Sequence, residues 1–191
     1  MKRVWAVLVA FGTLPAIAGC TTVTGPTLSA AEFQQRYPAS LGKLAPGDRV
    51  RIALYGDEAL TGEYDVAGDG SVSLPLVGAI PAAGLSIDGF RQAVEARLSQ
   101  GFYQSPRVSA QVVSVQPIYV LGEVTRAGAY PFAVDMTLSK AAALAGGFTY
   151  RARENIVGLR RAGADDEVLV VADKALVLAP GDTVRILERH F

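Results

Sequence analysis

The spacing of apolar residues predicts that strands dominate the chain from Leu41 onward. Val50, Ile52 and Leu54 alternate with Arg51 and Ala53, as in a strand that buries one face. Strand patterns recur over residues 107–115, 118–124, 130–132, 156–161, 167–171, 175–178 and 184–186. Together with the helices described next, these strands predict an α+β fold.

Three stretches have the caps and the spacing of short helices. Ser29-Ala30-Ala31-Glu32 has capping-box spacing, so a helix should run to Tyr37 before Pro38 ends it. Ser86 should cap a second helix that runs through Leu98, with apolar positions 87, 90, 94 and 98 on one stripe. Thr137 should cap a third helix, which ends at Gly146-Gly147.

A near-exact repeat opens and closes the strand-rich region. Residues 44–52 recur as residues 178–186, with eight of nine positions identical. Proline followed by glycine fits the middle of a type II turn, and the next aspartate can accept a backbone N–H that closes it. The two predicted turns contain Pro46, Gly47 and Asp48, and Pro180, Gly181 and Asp182. Because turn geometry accounts for both aspartates, they are weak catalytic candidates.

A second turn signal lies between the two copies of the repeat. Asp69-Gly70 stands between the strand-like segments 64–66 and 72–74, a pattern that predicts a β-hairpin. The next segment contains Pro75, which indicates a sheet edge or a bend.

Pro117 marks the boundary between two predicted domains. Residues 41–116 contain the opening turn, the predicted hairpin and the helix capped by Ser86. Residues 117–191 begin with a hairpin and a helix and continue with strands up to the closing repeat. That order suggests a small β-grasp-like domain.

The N-terminus has the layout of a secretory signal over residues 1–19. Lys2 and Arg3 precede an apolar stretch over residues 4–18, which ends in small residues. As a helix, this stretch would span roughly 22 Å, less than the ~30 Å hydrocarbon core of a bilayer. We therefore predict a cleaved signal and not a permanent membrane span.

The chain's single cysteine stands at the exit of this signal, in Ile17-Ala18-Gly19-Cys20. The tetrapeptide resembles the bacterial lipobox, which implies cleavage between Gly19 and Cys20, a diacylglyceryl group on the thiol and an acyl chain on the new amino terminus. Several fatty chains hold a protein on a bilayer because each buried methylene contributes about 0.8 kcal/mol. Thr21 after the cysteine favours the outer membrane by the enterobacterial sorting rule. Residues 20–40 would form the lipidated tether and a short helix; a free reactive thiol is the alternative.

The composition of the chain limits which partners and which kinds of site are possible. The 191 residues include 18 basic and 18 acidic side chains and are 50% hydrophobic. Such a chain has neither an overall electrostatic attraction to nucleic acid nor the composition of a disordered protein. One cysteine excludes an intrachain disulfide, and one cysteine with one histidine argues against structural zinc.

The other candidates for chemistry have simpler interpretations. His190 lies one residue from the end, and residues 165–167, which could chelate a hard cation, have the pattern of a polar hairpin tip. Alternation predicts that the densest basic cluster is the solvent face of a strand: Arg151, Arg153, Arg160 and Arg161. We therefore assign no catalytic residue, no metal site and no cofactor, and we predict that the chain is not an enzyme.

In their order and spacing, these motifs resemble the polysaccharide export lipoproteins of the outer membrane polysaccharide exporter family. The motifs are Pro46-Gly47-Asp48, Asp69-Gly70, Leu74-Pro75-Leu76-Val77-Gly78, Gly84, Leu121-Gly122-Glu123-Val124, Gly128-Ala129-Tyr130, Thr137-Leu138, Ala145-Gly146-Gly147 and Pro180-Gly181-Asp182-Thr183-Val184. The resemblance implies an N-terminal polysaccharide-export domain followed by one soluble-ligand-binding β-grasp (SLBB-like) domain. It further implies a homo-oligomeric ring that conducts exopolysaccharide or capsular polysaccharide and works with an inner-membrane copolymerase.

Long members of this family carry further β-grasp copies and a C-terminal amphipathic helix that lines the outer-membrane pore. Here residues 187–191 directly follow the closing strand, so we expect a short form: a periplasmic ring that lipid holds to the outer membrane. A separate outer-membrane β-barrel is then a candidate partner, and no nucleic-acid partner is expected. Two alternatives stay open: a glycan-docking or sensing lipoprotein that forms no channel, and a glycan hydrolase, which would need two carboxylates ~5–9.5 Å apart.

Overall fold

The computed structural model describes residues 26–101, 103–173 and 176–189. The predicted signal, its cleavage site at Gly19, the predicted lipidation site Cys20 and the terminal His190 lie outside these residues. Within the described part of the chain, no helix is long and apolar enough to cross a membrane.

Three helices and ten strands are described, in an α+β arrangement that agrees with the predicted fold class. In chain order they are α1 (Ala30–Arg36), β1 (Arg49–Leu54), β2 (Asp57–Asp65), β3 (Ser71–Leu74), β4 (Gly78–Pro81), α2 (Ile87–Leu98), β5 (Val108–Ser114), β6 (Ile118–Gly122), β7 (Gly128–Tyr130), α3 (Leu138–Leu144), β8 (Ala152–Arg160), β9 (Val168–Val171) and β10 (Thr183–Glu188).

The first domain is built on an antiparallel sheet with the strand order β2-β1-β5. Alternation along β1 buries Val50, Ile52 and Leu54, because successive side chains of a strand point to opposite faces. On the other face, Arg49 and Arg51 form ion pairs across to β2 at 2.7 and 2.6 Å. The predicted strand therefore has the predicted buried face.

The predicted hairpin around Asp69-Gly70 is wrong in its strand pairing. A turn is present, closed by the Gly70 N–H donating to the Ala67 carbonyl at 2.9 Å, but β2 and β3 belong to different sheets. β3 instead pairs with β4, with Leu74 opposite Gly78. The bend expected at Pro75 is the tip of this hairpin, where Leu76 has a φ of +65°.

Helix α2 covers the core of the first domain. The Ser86 hydroxyl accepts the Gly89 N–H at 3.1 Å, which satisfies one of the free donors at the helix start. Phe90, Val94 and Leu98 are fully buried on its inner face, as their spacing predicts. The helix end and the apolar stripe are therefore both confirmed.

The second domain is a five-stranded mixed sheet with the order β7-β6-β10-β8-β9. Its central strand, β10, runs parallel to β6 and antiparallel to β8. Thr137 caps α3, and Gly146 and Gly147 end it with φ values of +83° and +89°, the left-handed conformation that favours glycine. The strand expected over 175–178 is wrong for residues 176–178, where only Val177 makes an isolated bridge to Thr137.

Helix α1 packs on the second domain, although the first domain separates it from that domain in sequence. Ala30 and Phe33 are buried in the same core as Ile118 and Val184. Leu28 pairs with β9 through two backbone hydrogen bonds of 2.8 Å. The capping box at Ser29 is present, with the Ser29 N–H donating to Glu32 at 2.8 Å. The described part of the chain therefore begins beside β9.

Candidate functional site

The two copies of the repeat form two turns of the same construction. The Asp48 N–H donates to the Ala45 carbonyl at 3.0 Å, and the Asp182 N–H donates to the Ala179 carbonyl at 3.2 Å. Gly47 and Gly181 have φ values of +89° and +78°, as the third position of a type II turn requires. Each aspartate side chain also accepts the N–H of the residue three positions earlier, at 2.8 Å in both turns.

Gln116 joins the two turns at the boundary between the domains. Its side-chain amide donates to the Pro46 carbonyl, and its backbone N–H donates to Asp48 Oδ1 at 3.1 Å. On the other side, the Gly181 N–H donates to the Pro117 carbonyl at 3.2 Å. The two copies of the repeat, which lie at opposite ends of the strand-rich region, therefore come together in the fold. We call the place formed by the two turns (residues 45–48 and 179–182) with Gln116 and Pro117 the turn junction.

Both glycines of the turn junction are close to the Gln116 side chain. A Cβ atom at Gly47 would lie 3.0 Å from Gln116 Nε2, and one at Gly181 would overlap Gln116 Oε1 and approach Ala162. The positive φ therefore favours glycine at both positions, and the Gln116 side chain would have to shift to admit a Cβ atom at either.

The two aspartates are almost completely removed from solvent, with exposed fractions of 2% for Asp48 and 0% for Asp182. Burial raises the pKa of the Asp48 carboxyl, and the N–H groups of Ala45 and Gln116 oppose that shift. Burial raises the pKa of Asp182 to about 6, against the charge of Arg161 and the N–H groups of Ala179 and Ala162. The desolvated charged form is disfavoured unless donors surround it.

Arg161 provides the counter-charge of Asp182, which corrects the prediction that it lies on a solvent face. Only 7% of its side chain is exposed, and its Nη1 lies 2.6 Å from Asp182 Oδ2. Burial lowers the pKa of Arg161, and the Asp182 charge opposes that shift. The pair is thus a buried ion pair at the edge of the turn junction.

Arg161 also connects the turn junction to α1. Its guanidinium carbon lies 4.9 Å from the centre of the Phe33 ring, and its Nε donates to the Tyr37 carbonyl at 3.2 Å. Its Nη2 is buried and has no hydrogen-bond partner in the described part of the chain. One arginine therefore contacts α1 and the closing turn at once.

A cavity of about 330 Å³ opens beside the turn junction, between the opening turn and the loop that follows β8. Pro46, Gln116, Arg160 and Gly181 are among its lining residues. The lining has no thiol, imidazole or carboxylate. The cavity therefore adjoins the hydrogen bonds of Gln116 and the ion pair of Arg161 with Asp182.

The other predicted site residues are not brought into the turn junction. Asp69 accepts hydrogen bonds from the Ser71 N–H and hydroxyl at 2.9 and 2.8 Å, at a separate turn of the first domain. Of the acidic segment 165–167, Glu167 is paired with Arg185 at 2.6 Å. Among the residues described, no group of three histidine, cysteine or acidic side chains is arranged to hold a metal ion.

Sequence reasoning missed Gln116 and Arg161. Gln116 directly precedes Pro117, the predicted domain boundary. That position was a usable signal that its side chain could contact both domains. Arg161 directly follows Arg160, the last residue of β8, and nothing in the local pattern distinguishes the inward-facing arginine from its exposed neighbour.

Comparisons with known proteins match each domain separately. Residues 37–113 match the family model described as polysaccharide biosynthesis/export protein, and residues 117–172 match the model of the SLBB domain. Gln116 lies between these two matched regions and donates hydrogen bonds to Pro46 and Asp48 of the first.

Two relatives with assigned names match about half of this chain. Over 91 residues, 47% of this chain and 22% of the relative, the sequence is 35% identical to the exopolysaccharide production protein ExoF of Rhizobium meliloti (strain 1021). Over 89 residues, 46% of this chain and 16% of the relative, it is 30% identical to the polysialic acid transport protein KpsD of Escherichia coli. The matched part of the chain thus spans less than a quarter of either relative. An export domain followed by an SLBB domain, together with these two relatives, supports a polysaccharide export protein family for this chain.

Proposed function

We propose that the chain is a lipid-anchored component of a polysaccharide export channel. Identical copies assemble into a ring, and the ring conducts exopolysaccharide or capsular polysaccharide through the periplasm and across the outer membrane. The names of the two relatives, one in exopolysaccharide production and one in polysialic acid transport, support a polymeric sugar as the cargo. An inner-membrane copolymerase supplies the polymer, and an outer-membrane partner continues the path.

The turn junction is the observation that carries this proposal. A ring closes only if each protomer presents two different faces at a fixed angle to one another. Here the Gln116 side chain, which bonds to Pro46 of the opening turn, also lies against Gly181 of the closing turn, so the two domains are in contact beyond their covalent link. Such a joint supports a protomer whose two domains keep one orientation as copies repeat around an axis.

Transport, unlike hydrolysis, needs no cleavage chemistry. A conduit requires a polar lumen through which a hydrated polymer slides without tight binding. The contacts described at the turn junction are hydrogen bonds and one ion pair within the protein, which are compatible with such a role.

Lipid anchoring is a separate part of the proposal. The lipobox-like segment before Cys20 supports it, and the first described residues run beside β9, so the tether would join the body on the side of the second domain. We expect Cys20→Ser to abolish incorporation of labelled palmitate and retention in the membrane fraction. Thr22→Ser, two residues away, should leave both unchanged. Labelling of the Cys20→Ser protein would contradict the anchor.

Deletion of the gene tests the transport role directly. We expect loss of secreted polymer while the intracellular lipid-linked repeat units are still made, with recovery when the full chain is supplied again. Negative-stain images of the lipidated protein should contain closed rings. Monomers alone, together with normal export, would favour a glycan-docking lipoprotein over a channel component. Glycan cleavage by the purified protein would contradict the transport proposal.

A further inference from the structure

The far end of the second domain carries a cluster of arginines that the turn junction does not use. β8 runs from Ala152 at this end to Arg160 at the turn junction. At about 3.4 Å per residue, the two ends of the strand are roughly 27 Å apart. β10 ends here as well, where the Arg189 N–H donates to the Arg151 carbonyl at 2.7 Å.

Four residues at this end line one open concavity of about 550 Å³: Arg153, Glu154, Asn155 and Arg189. Its volume lies within the ~300–1,000 Å³ that small-molecule sites commonly occupy. All four lining residues have polar or charged side chains. We call this concavity the arginine cleft.

Both arginines of the cleft keep unused donors. Arg153 donates from Nε to Asn155 Oδ1 at 3.3 Å, and Arg189 donates from Nη2 to the Ala152 carbonyl at 3.3 Å. Neither forms an ion pair with a carboxylate in the described ranges of the chain, whereas the neighbouring Arg151 is paired with Glu188. Glu154 is the one carboxylate among the four lining residues, so the lining carries a net charge of +1.

We propose that the arginine cleft binds the carboxylate groups of an anionic polysaccharide. The proposal rests on the transport function proposed above and specifies its cargo as acidic. A guanidinium presents N–H donors in a planar fork that matches a carboxylate, and the amide of Asn155 can donate to sugar hydroxyls. A neutral glycan would leave the two charges without a counter-charge.

The surroundings fit a sugar polymer better than a compact anion. Tyr150 lies at the tip of the turn that precedes β8, closed by the Ala152 N–H donating to the Thr149 carbonyl at 3.1 Å. Tyr150 is 86% exposed and precedes the cleft residue Arg153 by three positions in the chain. The cleft is open to solvent, where each charged contact contributes only about 0.2–1 kcal/mol. Binding should therefore be weak, as a conduit requires.

Calorimetric titration of the full lipidated chain in detergent tests the proposal with two matched probes. Tetragalacturonate carries four carboxylates, and its fully methyl-esterified form has the same backbone without charge. We expect tetragalacturonate to bind at least tenfold more tightly than the ester, and we expect this difference to shrink as salt is raised. Equal binding of the two probes would overturn the proposal.

Substitutions at neighbouring positions of the cleft should change the affinity for tetragalacturonate in opposite directions. Arg153→Gln and Arg189→Gln should each weaken tetragalacturonate binding about threefold to tenfold, whereas Glu154→Gln should strengthen it by removing a like charge. Arg97→Gln is the matched control, because Arg97 lies in the first domain and also makes only a hydrogen bond, to Gln100 at 3.2 Å. Unchanged affinity in Arg153→Gln and Arg189→Gln, or a loss in Glu154→Gln, would contradict the assignment.

Two further experiments distinguish the glycan-binding proposal from lipid binding and from the transport proposal. Vesicles with anionic phospholipid test whether the cleft contacts headgroups; arginine-dependent binding to vesicles without binding to tetragalacturonate would overturn the glycan assignment. Export in the deletion strain is an independent readout. If export is normal without the chain but tetragalacturonate still binds through Arg153 and Arg189, the transport function fails and the cleft stands. If export is lost but no acid-specific binding occurs, the cleft fails and the transport function stands.

Discussion

At the scale of single residues, the buried pair of Arg161 and Asp182 should be the most sensitive charge interaction of the molecule. Asp182 is fully buried and Arg161 nearly so. Removing one partner of a buried pair leaves an uncompensated charge, which costs about 3–5 kcal/mol. We therefore expect Arg161→Ala to lower the free energy of unfolding by that amount in urea denaturation. Arg160→Ala, which removes an exposed neighbour, should change it by less than about 0.5 kcal/mol. Equal effects would show that the pair does not stabilise the fold.

The same aspartate should make stability depend on pH. Burial raises the pKa of Asp182 from 3.8 to about 6, so the folded chain binds a proton that the unfolded chain releases between about pH 4 and 6. The free energy of unfolding should therefore fall as pH rises through that window, since each pKa unit corresponds to about 1.36 kcal/mol. Burial raises the pKa of Asp48 as well, which acts in the same direction.

Urea denaturation between about pH 4.5 and 6.5 measures this slope. Exposed carboxylates whose pKa values are lowered, such as Asp65 beside Arg49, affect stability only at lower pH and stay outside the chosen range. Asp182→Asn cannot ionise and should flatten most of the slope, even though the variant is less stable overall. An identical slope in the wild type and in Asp182→Asn would contradict the raised pKa.

The residue scale also shows where sequence reasoning succeeds and where it stops. The aspartates of both turns were predictable because a Pro-Gly-Asp turn specifies its own hydrogen bonds within four residues. The partner of Asp182 was not predictable, because Arg161 is 21 residues away and its burial depends on Phe33 and Tyr37 of the N-terminal segment. Local chemistry defines the acceptor, and only tertiary packing selects the donor.

At the scale of elements, Gly122 determines how closely β6 and β10 approach. It has a φ of +82°, and a Cβ atom there would overlap the carbonyl oxygen of Ile186 in β10. Because the obstructing atom belongs to the backbone of the central strand, the neighbour cannot move aside. We expect Gly122→Ala to lower the free energy of unfolding by at least about 3 kcal/mol, measured by thermal or urea unfolding.

Gly128→Ala is the matched control for this substitution. Gly128 begins β7, has no positive φ, and no atom would lie within 4 Å of an added Cβ. Its replacement should change stability by less than about 1 kcal/mol. A mild effect at Gly122, comparable to that at Gly128, would show that the two strands can separate without cost.

Elements were predicted better than their pairing. The three helix starts and the buried face of β1 follow from caps and periodicity, which act within a few residues. The hairpin at Asp69-Gly70 failed because a turn signal does not specify which strand the next segment joins. β3 turns back through Pro75, Leu76 and Val77 instead, and a leucine with a positive φ at that turn gives no glycine signal in the sequence.

At the scale of the whole molecule, chain order and spatial order differ at both ends. Helix α1 and strand β10, the first and last elements among the described residues, both belong to the second domain, so the chain leaves the second domain to form the first and then returns to it. The repeat at the start and at the end of the strand-rich region then acquires a structural meaning, because its two turns meet around Gln116. The sequence pattern revealed the repeat, but its role as a joint depends on Gln116, which lies against both turns although the turns are 134 positions apart.

Gln116→Ala should separate the orientation of the domains from their folding. The substitution removes the side chain that donates to the Pro46 carbonyl and fills the space between Gly47 and Gly181, at a cost of about 1–2 kcal/mol. Each domain keeps its own core, so the circular dichroism spectrum should stay unchanged, while protease cleavage near residues 115–117 should become faster.

Assembly should be affected as well. Because ring formation then has to fix a domain orientation that Gln116 fixes in the wild type, we expect fewer closed rings in negative-stain images and reduced polymer secretion. Gln111→Ala, on the exposed face of β5, should behave like the wild type in all four measurements. A Gln116→Ala protein that resists protease and assembles normally would show that the turn junction does not hold the two domains in place.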